Sequence, residues 1–521
     1  MRIGFKFLPM IVVAGKATVA KAKQKSENYS KLTMKSYLYI AFAFCLTSAS
    51  AKAADRPNIV FMMSDDQAWN GLSVPMHPHL HWSKSSIVET PNLEKLAAQG
   101  MRFSAAYAPA SVCAPTRISL QTGKSPAALH WTKASGSVTA EDGYKMIGPR
   151  NVRQIDQNET TIAELLRDAG YATAHYGKWH ISGGGPSANG YDEGDGDIGN
   201  EYAHQYDDPN PADIFGMVER SIAFMEKNKK ADKPFFIQMS WHALHAPQNA
   251  IGATLAKYAQ KMGSRVDEKR VGSAAIAENL DTGVGMVVDA VDRLGLTDNT
   301  FVIYMSDNGS GGGGGPKTGK QRGGRQSGLA GGKGGVWEGG IRSPMIIRGP
   351  GIPANSWCHE RVVGYDFYPT YCEWAGIPDS KIPENIEGGS IVGLLDDGYG
   401  TVKRPREELV FHFPHYQGGD GPHSALFLGN HKLMKFYEDN RLALFDIAAD
   451  ISEQNDLSQQ MPQKVKELDH LLVTYLNEVD AQMAVPNLEY DPASPSTAQK
   501  GGGGRNKTNK TKNQNPNKRQ R

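Results

Sequence analysis

Five residues, Cys113-Ala114-Pro115-Thr116-Arg117, open a helical pattern that runs to Thr122 and stops at Gly123. Proline suits a first helical turn, which puts Cys113 at a helix N-terminus, where free N–H groups and the helix dipole favour an anion. Arg117 lies one turn along the same face. A nucleophile-capable side chain beside a fixed cation suits displacement at a tetrahedral oxyanion. A structural thiol is the competing account of a cysteine so placed. Four further places gather charged or metal-capable residues: Ser64-Asp65-Asp66, Gly177-Lys178-Trp179-His180, Trp241-His242 with His245, and Ser306-Asp307-Asn308-Gly309.

Each of these four places follows a short apolar run: Asn58–Met63, Tyr171–Tyr176, Phe235–Ser240 and Phe301–Met305. Each run reads as a buried strand. Helical patterns at 160–169, 214–228 and 273–294 lie between them, two of them closed by Gly170 and Gly295. Strands alternating with helices predict an α/β fold: a large domain with a mostly parallel sheet sandwiched by helices. In such sheets ligands bind beyond the carboxyl ends of the strands. One strand-end Asp or His is ordinarily a cap or a solvated turn, but four converging ends weaken that account. Beyond residue 400 the texture changes to short strands, Leu409–Phe413, Ala425–Leu428, Lys432–Phe436 and Ala443–Asp446, followed by a helix from Gln463 to Leu476. This predicts a small C-terminal domain with an antiparallel sheet and one helix. The expected division is 1–53 N-terminal extension and signal, 54–400 catalytic domain, 401–488 antiparallel-sheet subdomain and 489–521 basic tail.

The 521 residues carry a formal charge of only +2. That total conceals +8 on residues 1–53 and +8 on residues 500–521, which leaves −14 for 54–499. An acidic body excludes a strongly basic nucleic-acid binder. From Met34, Lys35, an apolar run at 37–46 and Ala51-Lys52-Ala53 follow the plan of a secretory signal. The apolar run is too short to span a membrane, and no other segment is apolar enough. The expectation is an exported protein, periplasmic or secreted, with translation starting at Met1 or Met34. Cys45 would leave with the signal. Cys358 and Cys372 are either a disulfide or two buried thiols. The tail is low in complexity and reads as disordered.

The Cys113–Arg117 segment, with Leu120-Gln121-Thr122-Gly123-Lys124, resembles the signature of the type I sulfatases. Asp65-Asp66, Gly177–His180, Ser306–Gly309, Gly332-Lys333 and Glu338–Arg342 extend the resemblance in the family's order across about residues 57 to 460. Thr116 stands where serine is commoner. The resemblance implies that Cys113 is oxidised to formylglycine by a formylglycine-generating or equivalent enzyme. The hydrated aldehyde attacks sulfur, the alcohol leaves, and the second hydroxyl expels sulfate. Asp65, Asp66, Asp307 and Asn308 are hard oxygen ligands that suit Ca²⁺, with the side chain at 113 completing the set. By the same resemblance, Asp307 accepts the attacking hydroxyl's proton. Arg117 and Lys178 neutralise oxyanion charge, and His180 takes the second hydroxyl's proton. His245 and Lys333 contact the sulfate, and one of them protonates the leaving oxygen. The family's histidine precedes x-Pro, which selects His245 and leaves His242 as structural or at the pocket edge. His175, Trp179 and Glu338 read as packing or supporting residues.

The implied activity is sulfate-ester hydrolysis on a sulfated small molecule or glycan. Two alternatives stand beside it: a phosphate or phosphonate ester hydrolase on the same fold, and an inactive protein that binds sulfated glycans. The loop after Asn308, with Gly311–Gly315, Lys317, Lys320, Arg322 and Arg325, is either a lid that attracts anions or a plain glycine-rich insertion. His412, His415, Tyr416 and His423 around the turn Pro414–Pro422 are either sugar contacts or a solvated loop.

Overall fold

The computed structural model describes residues 56–134, 143–263, 266–310, 328–417 and 419–493. The expected export signal, Cys45, the glycine-rich loop from Gly311 to Arg325 and the basic tail beyond residue 493 lie outside the described residues. The large sheet is built from β1 (Asn58–Ser64), β2 (Met101–Phe103), β3 (Ala172–Gly177), β4 (Glu193–Gly194), β5 (Phe235–Ser240), β6 (Thr300–Ser306), β7 (Met345–Arg348) and β8 (Ser356–Cys358). Their order is β8-β2-β7-β6-β1-β5-β3-β4. Every neighbouring pair is parallel except those of β7, which runs against both β2 and β6.

All seven residues of β1 are buried, as both faces of a central parallel strand are covered. On one face Val60, Met62, Val302 and Tyr304 pack with the helices α1 (Pro91–Gln99), α4 (Ile214–Lys230) and α6 (Glu268–Arg293). On the other, Ile59, Phe61, Met63, Phe301, Ile303 and Met305 pack with α2 (Cys113–Thr122), α3 (Ile162–Asp168) and α7 (Phe367–Trp374). Burying each such side chain is worth about 1.5–3 kcal/mol. A further helix, α5 (Gly252–Met262), precedes α6.

The expected helices form, with ends set by caps. Thr161 and Glu164 make a reciprocal capping box, so α3 begins at Ile162, not at Thr160. Asp267 accepts from the Lys269 N–H and starts α6 at Glu268, five residues before the expected Ser273. Gly123 ends α2 in the left-handed region (φ 72°) with its N–H on the Ser119 carbonyl.

The C-terminal strands β9 (Leu409–Phe413), β10 (His423–Leu428), β11 (His431–Phe436) and β12 (Leu442–Asp446) form an antiparallel sheet in sequence order. One of its faces carries α8 (Pro462–Glu478) through Leu426, Leu433, Leu444, Leu468 and Leu472. The other shares a core with the large body: Phe411, Phe427 and Phe436 pack with Tyr107, Val112, Val336 and Trp337. After α8, Val485–Pro486 pairs back onto Met146–Ile147. Cys358 and Cys372 are buried free thiols, the second of the two expected outcomes.

Candidate active site

The register of the sheet brings the four strand ends together. Ser64 lies beside Ser306, Met63 beside Ser240, and Gly177 beside Ser240. β6, β1, β5 and β3 are adjacent and parallel, so their carboxyl ends form one edge. Side chains alternate along a strand. Asp65 continues the series Ile59, Phe61, Met63, and Asp307 continues Phe301, Ile303, Met305, so both carboxylates face the α2 side. There α2 begins at Cys113. Gly177 permits the crowding: a Cβ there would lie 2.3 Å from the Ser240 carbonyl oxygen. Lys178 leaves β3 at that point.

The contacts are close and buried. Cys113 Sγ donates to Asp65 Oδ1 at 3.3 Å and lies 3.9 Å from Asp66 Oδ1. Arg117 donates from Nη2 and Nε to Asp307 Oδ2, at 2.7 and 3.2 Å, and from Nη1 to the Lys178 carbonyl at 2.6 Å. Lys178 is paired with Asp65. Lys333 Nζ donates to Asp66 and, at 3.2 Å, to Cys113 Sγ. The Asp66 N–H donates to Asp307 Oδ1 at 3.1 Å, and Asn308 Nδ2 donates to Asp66 Oδ1 at 2.8 Å.

Asp65, Asp66 and Asp307 are matched in number by Arg117, Lys178 and Lys333, but the cations are shared unevenly. Burial pushes the Asp65 carboxyl up, but Lys178 and Arg117 hold it well below the usual range. Burial and the neighbouring Asp65 push the Asp307 carboxyl up to about 6 against the pull of Arg117. Burial, Asp307 and Asp65 push the Cys113 thiol up, so it is a poor thiolate nucleophile as it stands. Lys333 is held charged, its burial outweighed by the carboxylates of Asp66, Asp65 and Asp307.

One ligand atom from each of Asp65, Asp66, Cys113 and Asp307 falls within 4.8 Å of the others. Asn308 Oδ1 is buried with no hydrogen-bond partner among the described residues. Crowded carboxylates beside an orphaned amide oxygen fit a hard divalent cation.

The other expected residues surround this cluster. His180 is kept neutral, lowered to about 3 by burial and by Lys178. Its Nδ1 is buried without a hydrogen-bond partner among the described residues. His245 is half-buried, with Nδ1 2.8 Å from the Ala246 carbonyl oxygen and Nε2 3.4 Å from Asn200 Nδ2. His175 stacks edge-on against Trp179, with ring centroids 5.0 Å apart, a packing role.

Lys333 sits on a loop tied from three sides. Its own N–H bonds the Ser310 carbonyl, Gly334 N–H bonds the Ser111 carbonyl, and Val336 N–H bonds His423 Nε2 at 3.0 Å. Behind the loop, Glu338 accepts from Arg342 Nε at 2.6 Å, Tyr107 Oη at 2.9 Å and Lys432 Nζ at 3.0 Å. Lys432 also pairs with Glu453 at 2.6 Å. Glu338, Lys432 and Glu453 therefore lock the small sheet to the Lys333 loop.

One expectation about the small sheet changes. His412, His415 and His423 are buried, not in a solvated loop. His412 is buried on Ser424 and the Gln482 carbonyl, and His415 on Thr132. His423 Nδ1 is taken by the Gly421 carbonyl. Tyr416 stacks on Tyr144 at 3.9 Å. Sequence reasoning also missed Lys432, Glu453 and Asn200. Lys432 was visible in principle, since period-two alternation puts it in phase with Met434 and Phe436. Nothing local marked Glu453 or Asn200.

The sulfatase family model matches residues 57–377. A second, described as N-sulphoglucosamine sulphohydrolase, C-terminal, matches residues 332–482. The chain is 29% identical over 504 residues to a sulfatase of Formosa agariphila, covering 80% of this chain and 87% of that protein. It is 30% identical over 412 residues to arylsulfatase A of Homo sapiens, covering 71% and 73%. The crystal structure of Ps i-CgsB in complex with k-i-k-neocarrahexaose matches with a TM-score of 0.64 at 23% identity, over 81% of this chain and 93% of that one. At that identity the likeness shows the fold.

Proposed function

The chain belongs to the sulfatase family and hydrolyses sulfate esters; on that premise we propose that its substrate is a sulfated carbohydrate, cleaved from R–O–SO₃⁻ to R–OH and sulfate outside the cytoplasm. The single observation that carries the residue assignment is the juxtaposition of Cys113, at the start of α2, with Lys333, Asp65 and Asp66. A glycan substrate is supported by the oligosaccharide in the Ps i-CgsB complex and by the C-terminal family match. Export rests on the signal-like segment at 34–53.

Cys113 is converted to formylglycine by a maturation enzyme. When hydrated, that group supplies an oxygen nucleophile and a second hydroxyl for sulfate release. Ca²⁺ would be held by Asp65, Asp66, Asp307, Asn308 and the oxidised side chain at 113, and would stabilise negative charge on the sulfuryl oxygens.

The remaining work falls to the chain's own side chains. Asp307, the carboxylate with the raised pKa, accepts a proton from the nucleophile at position 113. Arg117, fixed by Asp307 and the Lys178 carbonyl, neutralises charge at the helix start. Lys178 does the same from the β3 edge. Neutral His180 accepts the second proton. Lys333, which reaches both Cys113 and Asp66, binds the sulfuryl group together with His245, and one of the two protonates the leaving oxygen.

The test compares 4-nitrophenyl sulfate with 4-nitrophenyl phosphate, using protein purified from a host that matures sulfatases. Peptide mass spectrometry reads position 113. Wild type turns over the sulfate ester, carries the aldehyde and loses turnover in Cys113→Ala. Full activity in Cys113→Ala, or a preference for the phosphate ester, would overturn the proposal.

A further inference from the structure

The alternation that delivers Asp65 and Asp307 to the α2 face acts on a third strand. In β5, Phe236 packs on the α2 side, Gln238 bonds Gln121 of α2 at 2.9 Å, and Ser240 bonds His175 at 3.2 Å. Trp241 turns to the opposite core and donates from Nε1 to the Ile214 carbonyl. His242, next in line, returns by the same alternation to the side of Asp65, Lys178 and Arg117, whose charges it feels. The backbone fixes it there. The Asp65 N–H bonds the Ala243 carbonyl at 2.8 Å, and the His245 N–H bonds the His242 carbonyl at 2.9 Å.

His242 is only 1% exposed, yet its Nδ1 is buried with no hydrogen-bond partner among the described residues. A buried polar atom without a partner costs about 1–3 kcal/mol unless a ligand or water satisfies it. Packing histidines of the same fold differ: both His412 nitrogens are bonded, and His175 and His415, whose Nδ1 atoms are also unpartnered, are each bonded through Nε2, whereas neither ring nitrogen of His242 has a hydrogen bond among the described residues. We propose that His242 is a further residue of the sulfate pocket, its imidazole giving one hydrogen bond to an oxygen of the bound sulfuryl group.

Burial and the neighbouring Lys178 keep the ring uncharged, lowered to about 3, so it offers one N–H donor and no added positive charge. That suits a site whose cations are already committed, Lys178 to Asp65 and Arg117 to Asp307. The inference rests on the sulfatase reading and adds a contact to it.

The test uses the mature full chain with His242→Ala, His242→Gln and, separately, Cys113→Ala. Three quantities are read: kcat/KM for 4-nitrophenyl sulfate, the inhibition constant of inorganic sulfate, and the melting temperature. Loss of one hydrogen bond to a charged group predicts a fall in kcat/KM and a rise in the sulfate inhibition constant, each about ten- to a hundredfold, in His242→Ala. His242→Gln, which keeps an N–H donor, recovers part of both. Should His242→Ala fail to fold, His242→Gln carries the test. A folded His242 variant with wild-type melting temperature and sulfate inhibition within about twofold of wild type overturns the assignment. If Cys113→Ala is inactive in the same set, only the His242 contact falls. If Cys113→Ala is active, the sulfatase mechanism falls with it.

Discussion

Replacing Lys432 by methionine removes the cation shared by two buried glutamates. Lys432 is fully buried, 3.0 Å from Glu338 and 2.6 Å from Glu453. The two carboxylates fare differently without it. Glu338 keeps Arg342 and the Tyr107 hydroxyl. Glu453 keeps the Glu338 N–H, at 2.8 Å, and only the more distant charge of Arg342, with no other ion pair among the described residues. Breaking a buried pair by removing one partner costs about 3–5 kcal/mol. The loss should depend on pH, with a definite sign. Burial already pushes the Glu453 carboxyl up to about 7 with Lys432 present, and loss of that cation raises it further. A carboxyl whose folded pKa lies above its unfolded value penalises the fold as pH climbs from the unfolded toward the folded pKa. If the folded pKa in the variant exceeds 8, stability falls by about 1.4 kcal/mol per pH unit, or about 3 kcal/mol between pH 6 and pH 8. Wild type flattens above about pH 7. Urea denaturation of both proteins at pH 6 and pH 8 measures this. The double variant Lys432→Met/Glu453→Gln should recover most of the stability at pH 8. A loss under about 1 kcal/mol, or one equal at the two pH values, would refute the reasoning. Because this network backs the Lys333 loop, turnover of 4-nitrophenyl sulfate should fall in the single variant even where it is folded.

Calorimetric titration of Ca²⁺ into chelator-treated protein should show about tenfold weaker binding at pH 5 than at pH 7, because a cation must displace the proton that Asp307 holds below about 6; an ordinary carboxylate would leave the affinity nearly unchanged. Arg117→Lys cannot reproduce the three hydrogen bonds made to Asp307 and the Lys178 carbonyl, so kcat for 4-nitrophenyl sulfate should drop about a hundredfold or more even in the folded variant. Thr161→Ala removes the capping box of α3 and should lower the denaturation free energy by about 1 kcal/mol without altering kcat.

The sequence by itself determined the main elements and the chemistry-bearing ends of four of them. Short apolar runs such as Asn58–Met63, bounded by polar residues, read as buried strands, and the helical patterns between them imply parallel pairing. The order of motifs identified the family. Helix starts were less legible, because a cap such as Asp267 is one polar residue among several, and only its bond to the Lys269 N–H selects it. The edge of the sheet was also hidden: β2, β4 and β8 are too short to carry a pattern of their own.

Only the tertiary structure decided which side chains meet. The register of β1 against β5 and β6 brings Asp65, Asp307 and His242 to one face. Spacing along the chain cannot show this, since alternation within a strand says nothing of its alignment with the next. The roles of the small-sheet histidines were likewise settled by partners far away in sequence: Thr132 for His415, Val336 for His423 and the Gln482 carbonyl for His412. A histidine's type allows ligand, base or scaffold, and the choice lies in what occupies its two nitrogens. Charge followed the same rule. Lys432 and Glu453 look like surface residues in a list, yet each is buried because the other is there.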